Sequence, residues 1–354
     1  MTTTLGNVWP ARSDAQTVPV IRWGIVGTGS IASSMATVIN AVPHARLAAV
    51  SSRRLASAEA FANANGAKLA FDDWAAMVGS GDVDAVYVAT PTSVRETISI
   101  AAAEHRKHVL AEKPFASEAS LQRIIAACRA HDVGFMDGNH FGHHPRTAAV
   151  RNSLQEQVGT LSSLTSTFQF PLTDRGNIRF RPSLEPMGAI GDVGWYCMRA
   201  IAEYLPQDVA IAAVSAHLRR DEATGTAMAG AGVMLFANGV TSTFNCAYDA
   251  GAVFTTLRLT GDKGVIAMTD FPANNPDGSA DYVRHHGGFG AVEAEQIRVA
   301  STLTSRELMF EDFAVMTGDD ALRERSATDS IRTQRLLDAF WQSAVDNEAA
   351  AVAE

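Results

Sequence analysis

The sequence predicts an α/β protein in two parts. A doubly wound parallel sheet in the N-terminal part is followed by a second part built on a largely antiparallel sheet. Three observations carry that expectation. Apolar strand-like runs alternate with helical ones from residue 21 to about 138, a glycine-rich turn joins the first strand to the first helix, and beyond about 144 Thr-, Val- and Phe-rich runs follow one another mostly through turns. At 354 residues the chain also exceeds the roughly 250 to 300 over which one core keeps growing, so two domains are expected.

The strand-like runs of the first part are "IRWGIVG", "RLAAVSS", "DAVYVAT", "HVLAEK" and "GFMDG", and helices lie between them from about Ser30, through "SAEAFANA", after "TPTSV" and in "SLQRIIAACRAH". In the second part the runs "LSSLTSTFQF", "AIAAVSAHL", "AGAGVMLFA", "VTSTFNCAY" and "TTLRLTG" are separated by turn signals such as "ANG" and "GDKG". Helices are expected at about 188 to 205 and 326 to 346, the latter carrying apolar residues at helical spacing. The expected division is an arm at 1–20, a dinucleotide-binding domain at 21–144 and a substrate-binding and oligomerisation domain at 145–354.

Composition narrows the function. With 47% hydrophobic and 19% charged residues the chain is an ordinary globular protein. A net charge of -9, and no basic cluster beyond pairs such as Arg53-Arg54 and Arg219-Arg220, argue against a nucleic-acid partner and for a small molecule. Cys128, Cys197 and Cys246 are scattered, an odd number without metal spacing, which fits a reducing cytoplasm. The first twenty residues lack the apolar run of a secretory signal, and no later run is expected to span a membrane.

In "GIVGTGSIA" the first strand runs into Gly27-Thr28-Gly29-Ser30-Ile31-Ala32, a G-x-G-x-x-A turn. Gly27 permits the tight turn, Gly29 lets the backbone approach a pyrophosphate, Ala32 keeps the helix close to the strand, and the helix N-terminus offers free N–H groups. At the end of the second strand, where a carboxylate would hold the ribose 2'-hydroxyl of NAD, the chain reads Ser51-Ser52-Arg53-Arg54. Hydroxyls and guanidiniums there suit a 2'-phosphate, so NADP is the expected cofactor, with NAD as the alternative. Solvated arginines are the bland reading. "HVLAEK" ends at the carboxyl edge of the sheet, where ligands bind, which aims Lys113 at the cofactor cleft. A lysine there can donate a proton to the oxygen whose carbon exchanges hydride with nicotinamide.

These motifs, with "VYVATPTSV", "AEKPF", "HHPRT" and "GAIGDVGWYCMRA", resemble the glucose-fructose oxidoreductase, inositol dehydrogenase and rhizopine-catabolism (Gfo/Idh/MocA) family over nearly the whole chain from residue 21. The resemblance implies a Rossmann domain followed by an α+β domain whose open sheet forms homodimer or homotetramer contacts, with NAD(P) bound between the domains and Thr90, Pro91 and Glu112 among its contacts. It also implies a cis Lys113-Pro114 bond and hydride transfer on a secondary alcohol or ketone of a sugar or polyol. Tyr196 matches the tyrosine-bearing branch and is the candidate acid/base, beside Lys113 and with Asp192, four residues earlier on the expected helix, orienting Lys113 or the substrate. Trp195 is the neighbouring substrate candidate. Tyr196 as a packed interface residue and Asp192 as a helix-start carboxylate are the structural alternatives.

Departures remain. Arg95 stands in "TPTSVRE" where many members have histidine, and Asn139, His140 and Gly142 alter the centre of "DGNHFGHHPRT". His140, His143 and His144 lack the cysteine or paired carboxylates that would complete a metal site, so no metal is expected, and Asn139 or His140 is assigned to substrate hydrogen bonding. Asn177, Arg179 and Arg181 in "TDRGNIRFRPSLEP" are read as a loop over the cleft that contacts hydroxyls, a carboxylate or a phosphate, with Arg179 the substrate-binding candidate, or as solvated. The alternatives to a dehydrogenase are a non-catalytic nucleotide or sugar sensor and an enzyme that recycles a tightly bound nicotinamide.

Overall fold

A computed structural model describes residues 18–352, and residues 1–17 of the expected arm lie outside the described residues. The described chain divides into two compact units, one containing residues 18–143 with Arg306–Ile331, the other His144–Ser305 with residues 332–352.

The first unit alternates β1 (Ile21–Val26), α1 (Ser30–Ala41), β2 (Ala45–Ser51), α2 (Leu55–Asn65), β3 (Leu69–Phe71), α3 (Trp74–Gly79), β4 (Ala85–Val88), α4 (Thr92–Glu104), β5 (His108–Ala111), α5 (Glu118–Ala130) and β6 (Phe135–Asp137). The sheet order is β3-β2-β1-β4-β5-β6 and every pair is parallel, the doubly wound Rossmann arrangement that the alternation predicts. Parallel strands are covered on both faces, so β4 is buried at every position. α1 turns Ala32, Met35, Ala36 and Ile39 inward at i, i+3, i+4 and i+7, and α5 does the same with Leu121, Ile124, Ile125 and Cys128. Ser117 caps α5 by accepting the Ser120 N–H at 3.2 Å. β3 was not anticipated, because three residues carry no readable period.

α9 (Ser305–Met316) was also not anticipated, and Arg306–Ile331 clusters with the first unit although everything beyond 144 was expected in the second. The reason is packing: Met309, Phe310, Phe313 and Met316 join the core of the first unit, and the Phe310 and Phe313 rings lie 4.9 and 4.7 Å from Trp23.

The second unit opens with α6 (Pro145–Gln157), capped by His144. Its eight strands are β7 (Leu161–Pro171), β8 (Ile211–Arg220), β9 (Ala227–Phe236), β10 (Thr241–Ala247), β11 (Asp249–Gly261), β12 (Val265–Met268), β13 (Ala280–Gly288) and β14 (Ala291–Val299). They run in the order β14-β13-β12-β11-β7-β10-β9-β8, antiparallel except for the parallel pair β7–β10. The last three strands lie beyond the runs the sequence marked out. The helix expected at 188–205 is two, α7 (Gly188–Asp192) and α8 (Gly194–Tyr204), interrupted at Val193. Gly188 holds φ +50°, and a Cβ there would stand 2.4 Å from the Ala227 carbonyl oxygen, so the start of α7 is pressed against β9. α10 (Asp320–Val352) is longer than the expected 326–346. No described helix is long and apolar enough to cross a membrane.

Candidate active site

Parallel strands end on one side of their sheet. Gly27, Ser52, Ala89–Pro91, Glu112–Lys113 and Gly138–Asn139 all follow the carboxyl ends of five adjacent strands and therefore share one edge of the first unit. At the centre Gly27 holds φ +111°, and a Cβ on it would come 2.7 Å from the Ala89 carbonyl oxygen, so the turn admits only glycine. Gly29 is the opposite case, with nothing within 4 Å of its would-be Cβ. It caps α1 without any side-chain hydrogen bond, and the first turn of that helix carries no acidic residue. The start of this 12-residue helix is thus exposed and without a side-chain cap, as a pyrophosphate site requires. Ser30 and Ile31 form that first turn.

Thr28 Oγ1 lies 3.4 Å from Ser52 Oγ, tying the glycine turn to the end of β2. Arg53 and Arg54 follow, both exposed. The Ser51 and Thr90 hydroxyls are buried with no hydrogen-bond partner among the described residues, at the ends of β2 and beyond β4. Pro91 stands at the N-cap of α4. The dinucleotide is implied by this construction, and the donor set fits it: an uncapped helix end, two orphaned hydroxyls and two exposed guanidiniums.

On β5 the chain leaves the sheet through Glu112 and a half-buried Lys113, and the Lys113-Pro114 peptide bond is cis. Tyr87 on β4 donates its hydroxyl to Glu112 Oε1 at 2.5 Å. Burial, and then the Glu112 carboxylate, hold the Tyr87 phenol well above its ordinary range, so it remains a neutral donor.

After β6, Asn139 is buried with neither end of its amide hydrogen-bonded among the described residues, as a ligand contact would leave it. His140 is pushed down to about 3 by burial, with the charges of Arg306 and Lys113 acting in the same direction, and so stays neutral. His143 and His144 do not join it in a cluster. His143 Nδ1 is 2.9 Å from Asp312 Oδ2, while His144 donates through Nε2 to the Gly278 carbonyl at 2.7 Å and accepts the Arg146 N–H on Nδ1 at 3.0 Å. Among the described residues no group of three or more His, Cys, Asp or Glu is placed to hold a metal ion. Arg306, which sequence reading passed over, reaches this unit from α9 and donates to Ser34 Oγ on α1 at 3.0 Å. Its only signal was charge within an apolar helix.

In the second unit Asp192 Oδ2 accepts from Arg179 Nε at 2.6 Å and from the Tyr248 hydroxyl at 3.1 Å. Asp192 raises the Arg179 guanidinium and, after burial, the Tyr248 phenol well above their ordinary ranges. The loop at 173–186 is therefore pinned to the end of α7, with Arg175 stacked 4.4 Å over the Phe180 ring, and Arg181 is exposed. Tyr196, on the first turn of α8, is 9% exposed, its ring 5.3 Å from Phe168. Because Val193 interrupts the helix, Asp192 and Tyr196 do not lie on one continuous helix as the spacing suggested. Trp195, expected to contact substrate, is fully buried in the first turn of α8. Tyr248 was missed because 56 residues separate it from Asp192.

Two family models match the chain. Residues 21–138 match the oxidoreductase family with the NAD-binding Rossmann fold, and residues 148–267 match the GFO/IDH/MocA C-terminal domain. The chain is 29% identical over 325 residues to D-xylose 1-dehydrogenase (NADP(+)) of Haloferax volcanii, covering 91% of this chain and 97% of that one. It is 32% identical over 225 residues to a dTDP-3,4-didehydro-2,6-dideoxy-alpha-D-glucose 3-reductase of Streptomyces antibioticus, covering 63% of this chain and 67% of the relative. A 3-ketoreductase from Actinomadura kijaniata, solved with NADP and TDP-benzene, superposes with a TM-score of 0.82 at 27% identity over 92% of this chain and 98% of that one. Matched in both halves, and with its glycine turn built as a dinucleotide demands, the chain belongs to the Gfo/Idh/MocA family of oxidoreductases.

Proposed function

We propose that this protein is an NADP-dependent oxidoreductase that interconverts a secondary alcohol and a ketone on a sugar, polyol or related small molecule. The observation that carries the reading is the open, uncapped N-terminus of α1, reached through Gly27 and followed across the same sheet edge by Lys113. When bound, the nicotinamide supplies or accepts the hydride. Thr28, Ser30 and Ile31 present the helix N-terminus to the pyrophosphate, and Ser52, Arg53 and Arg54 present hydroxyl and guanidinium donors to a 2'-phosphate. NADP in relatives from three organisms supports that choice.

Lys113 is assigned to hold and polarise the reacting oxygen, and Tyr196 to move its proton. Asn139 and His140 are assigned to substrate hydroxyls, His140 as a neutral imidazole that both donates and accepts. Asp192, already bonded to Arg179 and Tyr248, is assigned to hold the end of α7 rather than to transfer protons. We also assign the exposed apolar positions Val233, Leu235, Val253 and Phe254 of β9 and β11 to contacts in a homodimer or homotetramer, and the three buried free cysteines to a cytoplasmic protein.

The test is the absorbance of the purified protein in the reduced-nicotinamide band, followed by a screen of D-xylose, scyllo-inositol and their keto forms with NADP and NAD in turn. Turnover with NADP exceeding that with NAD is expected. Turnover only with NAD overturns the cofactor choice, and dinucleotide binding without any turnover favours a sensor.

A further inference from the structure

We propose that Arg95 is a positioning residue that fixes the path of the chain around Lys113 and thereby sets where the Lys113 ammonium is held. The proposal rests on the reading of Lys113 given above. Arg95 lies in the first turn of α4 and is 3% exposed, so it is not a solvated substitute for the histidine common in the family. Its Nη2 donates to the Thr90 carbonyl at 2.6 Å, and its Nη1 donates to the Thr92 hydroxyl at 3.1 Å and to the Pro114 carbonyl.

Those two carbonyls belong to the loops that follow β4 and β5, which are hydrogen-bonded neighbours. Pro114 immediately follows Lys113, and Thr90 carries one of the orphaned hydroxyls of the cofactor edge. On the other side of Lys113, Glu112 is held by Tyr87, again from β4. Lys113 is thus bracketed: residue 112 is tied to the sheet and residue 114 to α4.

The Arg95 guanidinium is withdrawn from water and bonded to two backbone carbonyls. What it uniquely supplies is a rigid fork whose separate nitrogens reach two carbonyls and a hydroxyl together. Lysine keeps the charge but brings all its donors from one nitrogen, and glutamine keeps neither the charge nor the reach. The fork therefore couples the two loops.

The chain has four lysines, Lys68, Lys107, Lys113 and Lys263, so ¹³C-dimethylation of the full-length protein gives four lysine methyl signals beside that of the α-amino group, with Lys113 identified by its loss in Lys113→Met. Arg95→Gln and Arg95→Lys should both move the Lys113 signal toward the position of a free dimethyl-lysine while the other three stay in place. A variant that fails to fold moves all four, and the remaining variant then decides. In turnover, Arg95→Lys should lower kcat about tenfold or more with the NADPH dissociation constant within about twofold, because misplacing a catalytic group costs rate rather than cofactor affinity. In the Lys113→Met background the same change should add nothing further. An unmoved Lys113 signal, or a loss that adds in full to that of Lys113→Met, overturns the proposal. Normal turnover by Lys113→Met itself would remove Lys113 from the chemistry, and the methyl signals would still report whether Arg95 holds it.

Discussion

Tyr196 and Arg53 sit at opposite extremes of burial, and their expected mutational effects differ accordingly. Tyr196 packs against Phe168 and is nearly enclosed, so Tyr196→Phe keeps the ring contact and removes only the proton. Hydride transfer should slow by about 10² or more at saturating substrate, measured in single turnovers with NADPH and a keto-sugar. A wild-type rate would transfer the acid/base role elsewhere, and His140→Ala, expected to act mainly on KM, is the control. Arg53 is exposed, so its contact with a 2'-phosphate is screened by solvent, and Arg53→Ala should weaken NADPH about tenfold with little effect on NADH. Equal losses in titrations of both cofactors would contradict the assignment. The residue types at both places were legible from their positions after β2 and within "GAIGDVGWYCMRA". The Tyr248–Asp192–Arg179 contacts and the Arg95 fork were not, since each depends on groups that only folding brings together.

The turn between β1 and α1 separates two roles of glycine within a single element. Gly27→Ala adds a Cβ at positive φ against the Ala89 carbonyl oxygen and should destabilise the protein by about 1 to 3 kcal/mol while weakening NADPH. Gly29→Ala meets nothing in the protein, so its thermal midpoint should stay at the wild-type value while NADPH affinity falls, because the new methyl enters the space kept for phosphate. Calorimetry and a fluorescence titration on the two variants check this, and a Gly29→Ala protein that binds NADPH normally would displace the pyrophosphate from that position. The alternating elements were readable because each long run carries its own period, as in the inward face of α1. The break at Val193 was not, because Gly188, Gly191 and Gly194 are spread along the segment without marking one boundary, and the close approach of Gly188 to Ala227 joins residues far apart in sequence.

For the molecule as a whole, the histidines set an acid limit to stability. His108 Nδ1 accepts the Gly134 N–H at 2.8 Å, which requires it to be unprotonated there. Burial first, and Arg323 after it, push His108 down to about 4, against the pull of Asp84 and Asp132. His140 is pushed down to about 3. An unfolded chain takes up these protons near pH 6.5, whereas the folded one refuses them until about pH 4 and below, so the unfolded state binds more protons throughout that window. Stability is therefore full above about 6.5 and falls as pH drops toward 4, by up to about 1.4 kcal/mol per pH unit for each histidine. Urea melts at pH 7.5, 6 and 5 should show the decline, and His108→Gln, whose side-chain oxygen still accepts from Gly134, should make it shallower. A midpoint that is level between pH 7.5 and 5 would refute the assignment. By itself the sequence determined the Rossmann alternation, the antiparallel second sheet, the glycine turn and the lysine at the sheet edge, because each is written in neighbouring residues whose spacing obeys a helix or strand period. Only the tertiary structure decided that α9 returns its phenylalanines to Trp23, that Arg95 is buried between two loops, and that Asp192 is bound by Tyr248. Those outcomes rest on contacts between residues 5 to 290 positions apart, whose burial and shape no local pattern records.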